Sequence, residues 1–440
     1  MHPEPLYPAT AAFVPPRRGR IAALDTTRGL ALLGIMLVNV HYFTDSFATF
    51  YSTAPKPSGG PVPLWLDEAA YFFSRAFCEG KFFPLYSLLF GAGMVLILEK
   101  VAREGGRFWA VYLRRLLVLG VIGLCHGFLL WFGDILFVYS LLGVALLLLG
   151  PYCPGRVLCI LGGCLIAVGM VLTLGCLSLQ MLGGAPPAPQ PLAESITSLP
   201  PGERMFKMMA ELRGNAMLHP AWAESEREAY TQGPFLQALI VRSMSYVFSV
   251  MAGLMMMGPT IGGMFLLGAG LMKEAFWSGE PARLRRWFLL IGLGLGLPAC
   301  IIGVLVARLA SGNTAHLGLA LAMAFGPLLT LGIAAAVIAW ACSGKAARLA
   351  RLIAVPGRMG LTCYLLTTVL MTFISYHWGL ALWGTFGSAE QVGLCLVVYT
   401  VLIAFSHLWM SRFSVGPVEW VWKSLSYLRV TPIRREPAQA

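Results

Sequence analysis

The chain has 440 residues, 58% of them hydrophobic and 12% charged, with a mean hydropathy of +0.73 and a formal net charge of +12. A soluble domain carries roughly 25% charged residues, and here the apolar residues run in long blocks, which excludes a soluble enzyme. The basic excess fits short loops that orient membrane spans better than a nucleic-acid surface, so no nucleic-acid partner is expected.

Residues 1–20 are Pro-rich and lack an apolar core, unlike a secretory signal peptide, and read as a disordered cytoplasmic tail. A helix needs about 20 apolar residues to cross some 30 Å of hydrocarbon. Ten spans follow, at roughly 22–44, 68–98, 112–132, 134–150, 158–183, 235–272, 287–308, 316–341, 359–384 and 389–411. The second carries Arg75, Glu79 and Lys81 and predicts a short interfacial helix before a true span from Phe82. The sixth contains Gly258-Pro259, where a kink or break is predicted because proline lacks an N–H and crowds the preceding turn. The predicted fold class is thus all-α, a polytopic membrane protein of about ten transmembrane helices with both termini cytoplasmic. A five-span bundle covers 21–183, a periplasmic loop 184–234, a second five-span region 235–427 and a cytoplasmic tail 428–440.

Loop charge agrees with this layout. With the N-terminus inside, cytoplasmic segments hold most of the 32 basic residues, whereas the long 184–234 loop has six Glu against four Lys or Arg. The ten cysteines lie almost entirely in apolar segments with no CxxC pair and read as small core residues, neither disulfides nor a metal site. No P-loop, HExxH or GxSxG is present, and no internal repeat supports an inverted-repeat transporter.

Ionisable groups within spans are expensive, so each is a candidate functional group. Asp25 and Arg28, spaced i, i+3, share one helix face and predict an ion pair; Asn39, about three turns on, lies on nearly the same face, with His41 beyond it. Asp25 and Arg28 either neutralise each other at the inner interface or bind substrate. His126 falls in the outer half of the third span, and Asp134 opens the next helix. Asp134 is either a simple N-cap or, if the connecting turn brings it to His126, a group that holds one tautomer and prepares a general base. Glu79 and Lys81, Arg242 and Arg358 complete the candidates for substrate or donor binding. Gly91 and Gly93 predict close helix approach, and Glu419 and Lys423, spaced i, i+4, predict a surface pair.

Five blocks taken in order resemble the YeiB-like family of bacterial inner-membrane proteins: LDTTRGLALLGIMLVNVHYF (24–43), KFFPLYSLLFGAG (81–93), HGFLLWFGDILFVYSLLG (126–143), GRMGLTCYLL (357–366) and GPVEWVWKSLSY (416–427). Cys363 stands where that family usually has Asn, Lys423 where it has Arg, and His41 is outside its usual pattern. The resemblance implies a multi-pass protein of the bacterial inner membrane. The first span is also similar to that of heparan-α-glucosaminide N-acetyltransferases, which open with Asp-x-x-Arg-Gly and lead to Val-Asn. This implies, by analogy, a membrane-embedded acyltransferase.

Two functions are therefore expected to compete. In the first, an acyl group passes from a cytoplasmic acyl-CoA-type donor, held by basic residues such as Arg28 and Arg358, to an envelope glycan or lipid acceptor. His126, or failing that His41, deprotonates that acceptor, and Asn39 orients it or stabilises the oxyanion; acyl-CoA is then a substrate, and no cofactor is required. In the second, the chain is a transporter or flippase for a small or lipid-linked molecule. The lipid bilayer is the partner in either case, and a homo-oligomer is compatible with both.

Overall fold

The computed structural model describes residues 21–47, 52–182, 192–212, 216, 219–279 and 281–434. The tail 1–20, the Pro-rich start of the long loop, the Cys176 side chain and residues 435–440 lie outside them. Every regular element among the described residues is helical: α1 (Ala22–Thr44), α2 (Leu64–Phe73), α3 (Phe82–Arg103), α4 (Phe108–Cys125), α5 (Leu136–Leu149), α6 (Gly155–Leu182), α7 (Glu194–Thr197), α8 (Pro201–Leu212), α9 (Pro220–Thr231) and α10 (Phe235–Ala252). These are followed by α11 (Gly258–Lys273), α12 (Ala282–Ile291), α13 (Leu297–Leu309), α14 (Gly312–Ala324), α15 (Gly326–Cys342), α16 (Ala347–Arg358), α17 (Gly360–Ser375), α18 (Ser388–Arg412) and α19 (Pro417–Tyr427).

Among the described residues, eight continuous helical segments are long and apolar enough to cross a membrane, and α16–α17, bent by 81°, makes a ninth. The tenth expected span is α5, whose 14 residues rise only about 21 Å. It falls short because its chain re-enters as a non-helical stretch, Trp131–Ile135, before the helix begins. The ninth span ends at Ser375 rather than at 384, since Tyr376 is extended and the chain turns into a loop.

The predicted break at Gly258-Pro259 takes a milder form. A π turn over Gly253–Met257 precedes it and the helix runs on to Lys273; widening the turn gives proline room without ending the helix. Three further π turns lie at Ser74–Cys78, His126–Leu130 and Gly292–Gly296. The second span divides as expected, with turn residues 79–81 separating the π turn from α3.

The basic loops are tied together on one face. Arg429 pairs with Glu104 at 3.6 Å, Arg115 stacks on Trp422 at 3.9 Å, and Lys273 Nζ donates to Cys153 O at 2.8 Å. The start of α1 and the C-terminal α19 belong to this basic face. On the far face, Gly384 N donates to Thr44 O (2.7 Å) and His377 N to Tyr230 O (2.7 Å). There the described residues of the 192–234 segment fold as a small cap with its own apolar core of Met205, Met208, Trp222 and Tyr230, packed against Tyr376 and Trp383.

Close helix approach depends on glycine. A Cβ on Gly29 would sit 1.9 Å from Ile353 O, so α1 and α16 touch backbone to backbone. Gly91 meets α11 in the same way, with Phe265 O at 1.9 Å, whereas Gly93 has nothing within 4 Å and opens into a cavity.

Candidate functional site

Two cavities lie end to end inside the bundle. The one toward the basic face measures about 310 Å³ and the one toward the far face about 280 Å³. Ile35, Ile135 and Tyr364 border both. Such volumes sit at the lower end of small-molecule sites, which span roughly 300–1,000 Å³.

The basic-side cavity is an apolar chamber with cationic groups in its wall. Arg28, Arg115 and Arg358 line it together with Leu116, Leu119 and Phe90. Arg28 forms the expected pair with Asp25, Nη1 to Oδ1 at 3.1 Å, and both keep part of their surface open, 28% and 13% of the side chain. Arg358 arrives at the sharp bend between α16 and α17. Glu419 also borders this chamber, but its carboxylate is engaged: it accepts from Leu361 N (2.7 Å) and Thr362 N (3.0 Å) at the start of α17. A carboxylate there satisfies amides that have no partner within the helix. The i, i+4 surface pair with Lys423 does not form, because Glu419 turns inward to this cap.

The far-side cavity is walled by aromatic rings, Phe82, Phe83, Trp131 and Phe248 among them, with Asn39, Tyr42, Glu79, Asp134 and Ser249 as its polar contributions. The Asn39 amide makes no hydrogen bond among the described residues. Glu79, just after the π turn, is ion-paired with Arg75 within it and receives the Tyr42 hydroxyl at 3.5 Å.

His126 and Asp134 do meet. Nδ1 lies 2.9 Å from Asp134 Oδ1 and Nε2 lies 2.9 Å from Thr368 Oγ1, with both side chains of the His–Asp pair fully enclosed. Asp134 Oδ2 also accepts from Phe137 N at 2.9 Å, so the N-cap reading and the histidine reading hold together. His126 borders neither cavity; the Tyr364 ring, 5.1 Å from it centre to centre, stands between the imidazole and the chambers. A general base needs direct reach to its proton, which this position does not give.

Two other candidates also have structural duties. Lys81 is completely buried, its ammonium donating to Arg75 O (2.9 Å) and Ala322 O (3.5 Å) near the C-terminal end of α14, where the helix dipole favours a cation. Arg242 clamps the π turn that bears His126, with Nε on Phe128 O at 2.7 Å and Nη1 on Leu130 O at 3.3 Å. Neither borders a cavity, and His41 borders neither as well. Arg115 was not singled out from the sequence, where it reads as one of a loop-edge pair with Arg114. Its signal was an arginine two turns inside an apolar run.

Comparison with known proteins places these blocks in a wider group. The model of the family described as "Protein of unknown function (DUF418)" matches residues 271–429. The chain is 29% identical over 422 residues to "Uncharacterized protein YxaH" of Bacillus subtilis (strain 168), covering 95% of this chain and 96% of that protein. It is 28% identical over 429 residues to "Uncharacterized protein YeiB" of Escherichia coli (strain K12), covering 94% and 98%. Over nearly its whole length the chain is thus similar to these YeiB-like proteins.

The YeiB-like blocks, far apart in sequence, converge on the two chambers. Residues 24–43 bring Arg28, Ile35 and Asn39; residues 81–93 bring Phe82, Phe83 and Tyr86; residues 126–143 bring Trp131, Ile135 and Tyr139. Arg358 and Tyr364 come from 357–366, and Trp422 from 416–427. The departures from the YeiB-like pattern fall off these walls. Cys363 is buried with its Sγ 3.3 Å from Ser406 Oγ, and neither it nor Lys423 lines a chamber.

Proposed function

We propose that this YeiB-like chain is an acyltransferase of the bacterial inner membrane. It takes an acyl group from a thioester donor of the acyl-CoA type on the cytoplasmic, basic face and passes it to a hydroxyl or amine of an envelope glycan or lipid. The observation that carries this reading is the pair of abutting chambers, one edged by three guanidinium groups and one bearing an unengaged amide, divided by Ile35, Ile135 and Tyr364.

Arg28, Arg115 and Arg358 suit a phosphate-bearing donor, and the surrounding leucines suit its acyl arm. The thioester carbonyl then lies at the divide, where the Asn39 amide can donate to the developing oxyanion. The C–S bond breaks and a C–O or C–N bond to the acceptor forms. The acceptor's proton passes to Glu79 and finally to the departing thiolate; Asp134, the other carboxylate on the far-side wall, is engaged by His126 and Phe137 N. His126, with Asp134 and Thr368, holds the wall in place behind Tyr364.

The test is purified protein in vesicles with labelled acetyl-CoA. Binding, with transfer to an envelope extract or slow hydrolysis, supports the reading. Arg115→Gln or Arg358→Gln is expected to raise the donor KM roughly tenfold, the loss of one charge-assisted contact of about 1.5 kcal/mol. Absence of binding, hydrolysis and transfer together would overturn it. The bent α16–α17 pair favours a second reading, a transporter or flippase. That reading requires a solute to cross the vesicle chemically unchanged.

A further inference from the structure

α16 carries a feature that neither chamber uses. Its residues Thr26-facing Ala350, Ile353 and Gly357 pack on the first turns of α1, through Thr26 Oγ1 to Ala350 O at 3.5 Å and backbone contact at Gly29 and Asp25. Leu352 O faces His407 Nε2 of α18 at 3.3 Å. The opposite side of the helix is open: Arg348 and Arg351 are exposed, as is Lys345 just before the helix. Leu349 and Leu352, each one residue further on, remain 48% and 40% exposed. No acidic residue occurs between Lys345 and Arg358.

The helix also has an unusual course. It meets α17 at 81°, so if α17 crosses the membrane α16 runs nearly along its plane, at the basic face. A basic stripe beside an apolar stripe on an in-plane helix is the pattern of a segment seated in the headgroup layer.

We infer that α16 is a docking site for an anionic phospholipid of the adjoining leaflet, with Arg348, Arg351 and Lys345 on the headgroup phosphate and Leu349 and Leu352 against the acyl chains. A soluble anion would account for the cations but would leave the two leucines in water. A phospholipid supplies phosphate and hydrocarbon side by side, at the depth where the helix lies. The bound lipid would brace the helix that ends at Arg358, in the wall of the basic-side chamber. This inference does not depend on acyl transfer.

The experiment uses the full chain in mild detergent, offered equal amounts of phosphatidylglycerol and phosphatidylcholine, with bound lipid counted by native mass spectrometry. The wild type is expected to prefer phosphatidylglycerol. The R348Q/R351Q double variant should lose roughly thirtyfold of that preference, the combined effect of two basic residues at an anionic surface. R348K/R351K should retain most of it. L349S/L352S should shed both lipids from the site, and K207Q/R227Q, which removes cations from the cap, should change nothing. Monodisperse elution and unchanged helical content establish that each variant is folded. An R348Q/R351Q protein that keeps its preference overturns the inference. So does displacement of phosphatidylglycerol by an equal concentration of inorganic phosphate, which would mark a simple anion site.

Discussion

Glu226 lies in α9 of the cap, almost wholly buried, and neutralising it is expected to abolish a pH dependence of the cap. Burial pushes its carboxyl from 4.5 up to about 7, outweighing hydrogen bonds from Ser46, Trp222, the Phe47 backbone and Ser245. The charged and titratable groups around it are Arg242, Tyr230 and Tyr376. Because the folded value exceeds the unfolded one, the folded cap binds more protons. Its contribution to stability is complete below about pH 4.5 and is lost as the pH rises through 7. The whole span corresponds to about 3–4 kcal/mol, or about three-hundredfold in local opening. Hydrogen exchange of the 220–231 amides, corrected for intrinsic rates, should show protection falling between pH 5 and 7 and flattening above. Glu226→Gln should make the profile flat. Protection that rises with pH in the wild type, or a fall that survives in the Gln variant, would refute the reasoning.

Three further substitutions probe the frame around the chambers. Arg242→Met removes the donors to Phe128 O and Leu130 O and should cost about 2–4 kcal/mol, read as a lower Tm in detergent, with Arg242→Lys recovering only part; an unchanged Tm contradicts the clamp. Gly29→Ala puts a methyl group 1.9 Å from Ile353 O and should sharply reduce the yield of monodisperse protein, while Gly93→Ala, with nothing within 4 Å, should not. Glu419→Gln weakens the cap on α17 and should cost about 1 kcal/mol, whereas Lys423→Ala should be close to neutral; equal losses from both would restore the surface pair suggested by the sequence.

Much of the membrane architecture was legible from composition because hydrocarbon imposes a length and excludes charge. Ten apolar blocks each contain a helix, and several of the basic loops touch one another. Local spacing also fixed the Asp25–Arg28 pair, since i, i+3 geometry is internal to one helix. Even the division of the second span at Glu79–Lys81 could be anticipated from charges that cannot lie in lipid.

What only the tertiary structure decided is which buried polar groups look into space and which are spoken for. Lys81, Arg242 and His126 carry the same sequence signature as Arg28 and Asn39, a polar group in an apolar run. Yet the first three are consumed by carbonyls, a carboxylate and a hydroxyl, while the last two border cavities. The difference comes from helices distant in sequence, because desolvation demands a partner wherever packing leaves no opening, and packing is set by the neighbours. The chambers themselves arise where the five YeiB-like blocks meet, a convergence that one-dimensional order does not contain.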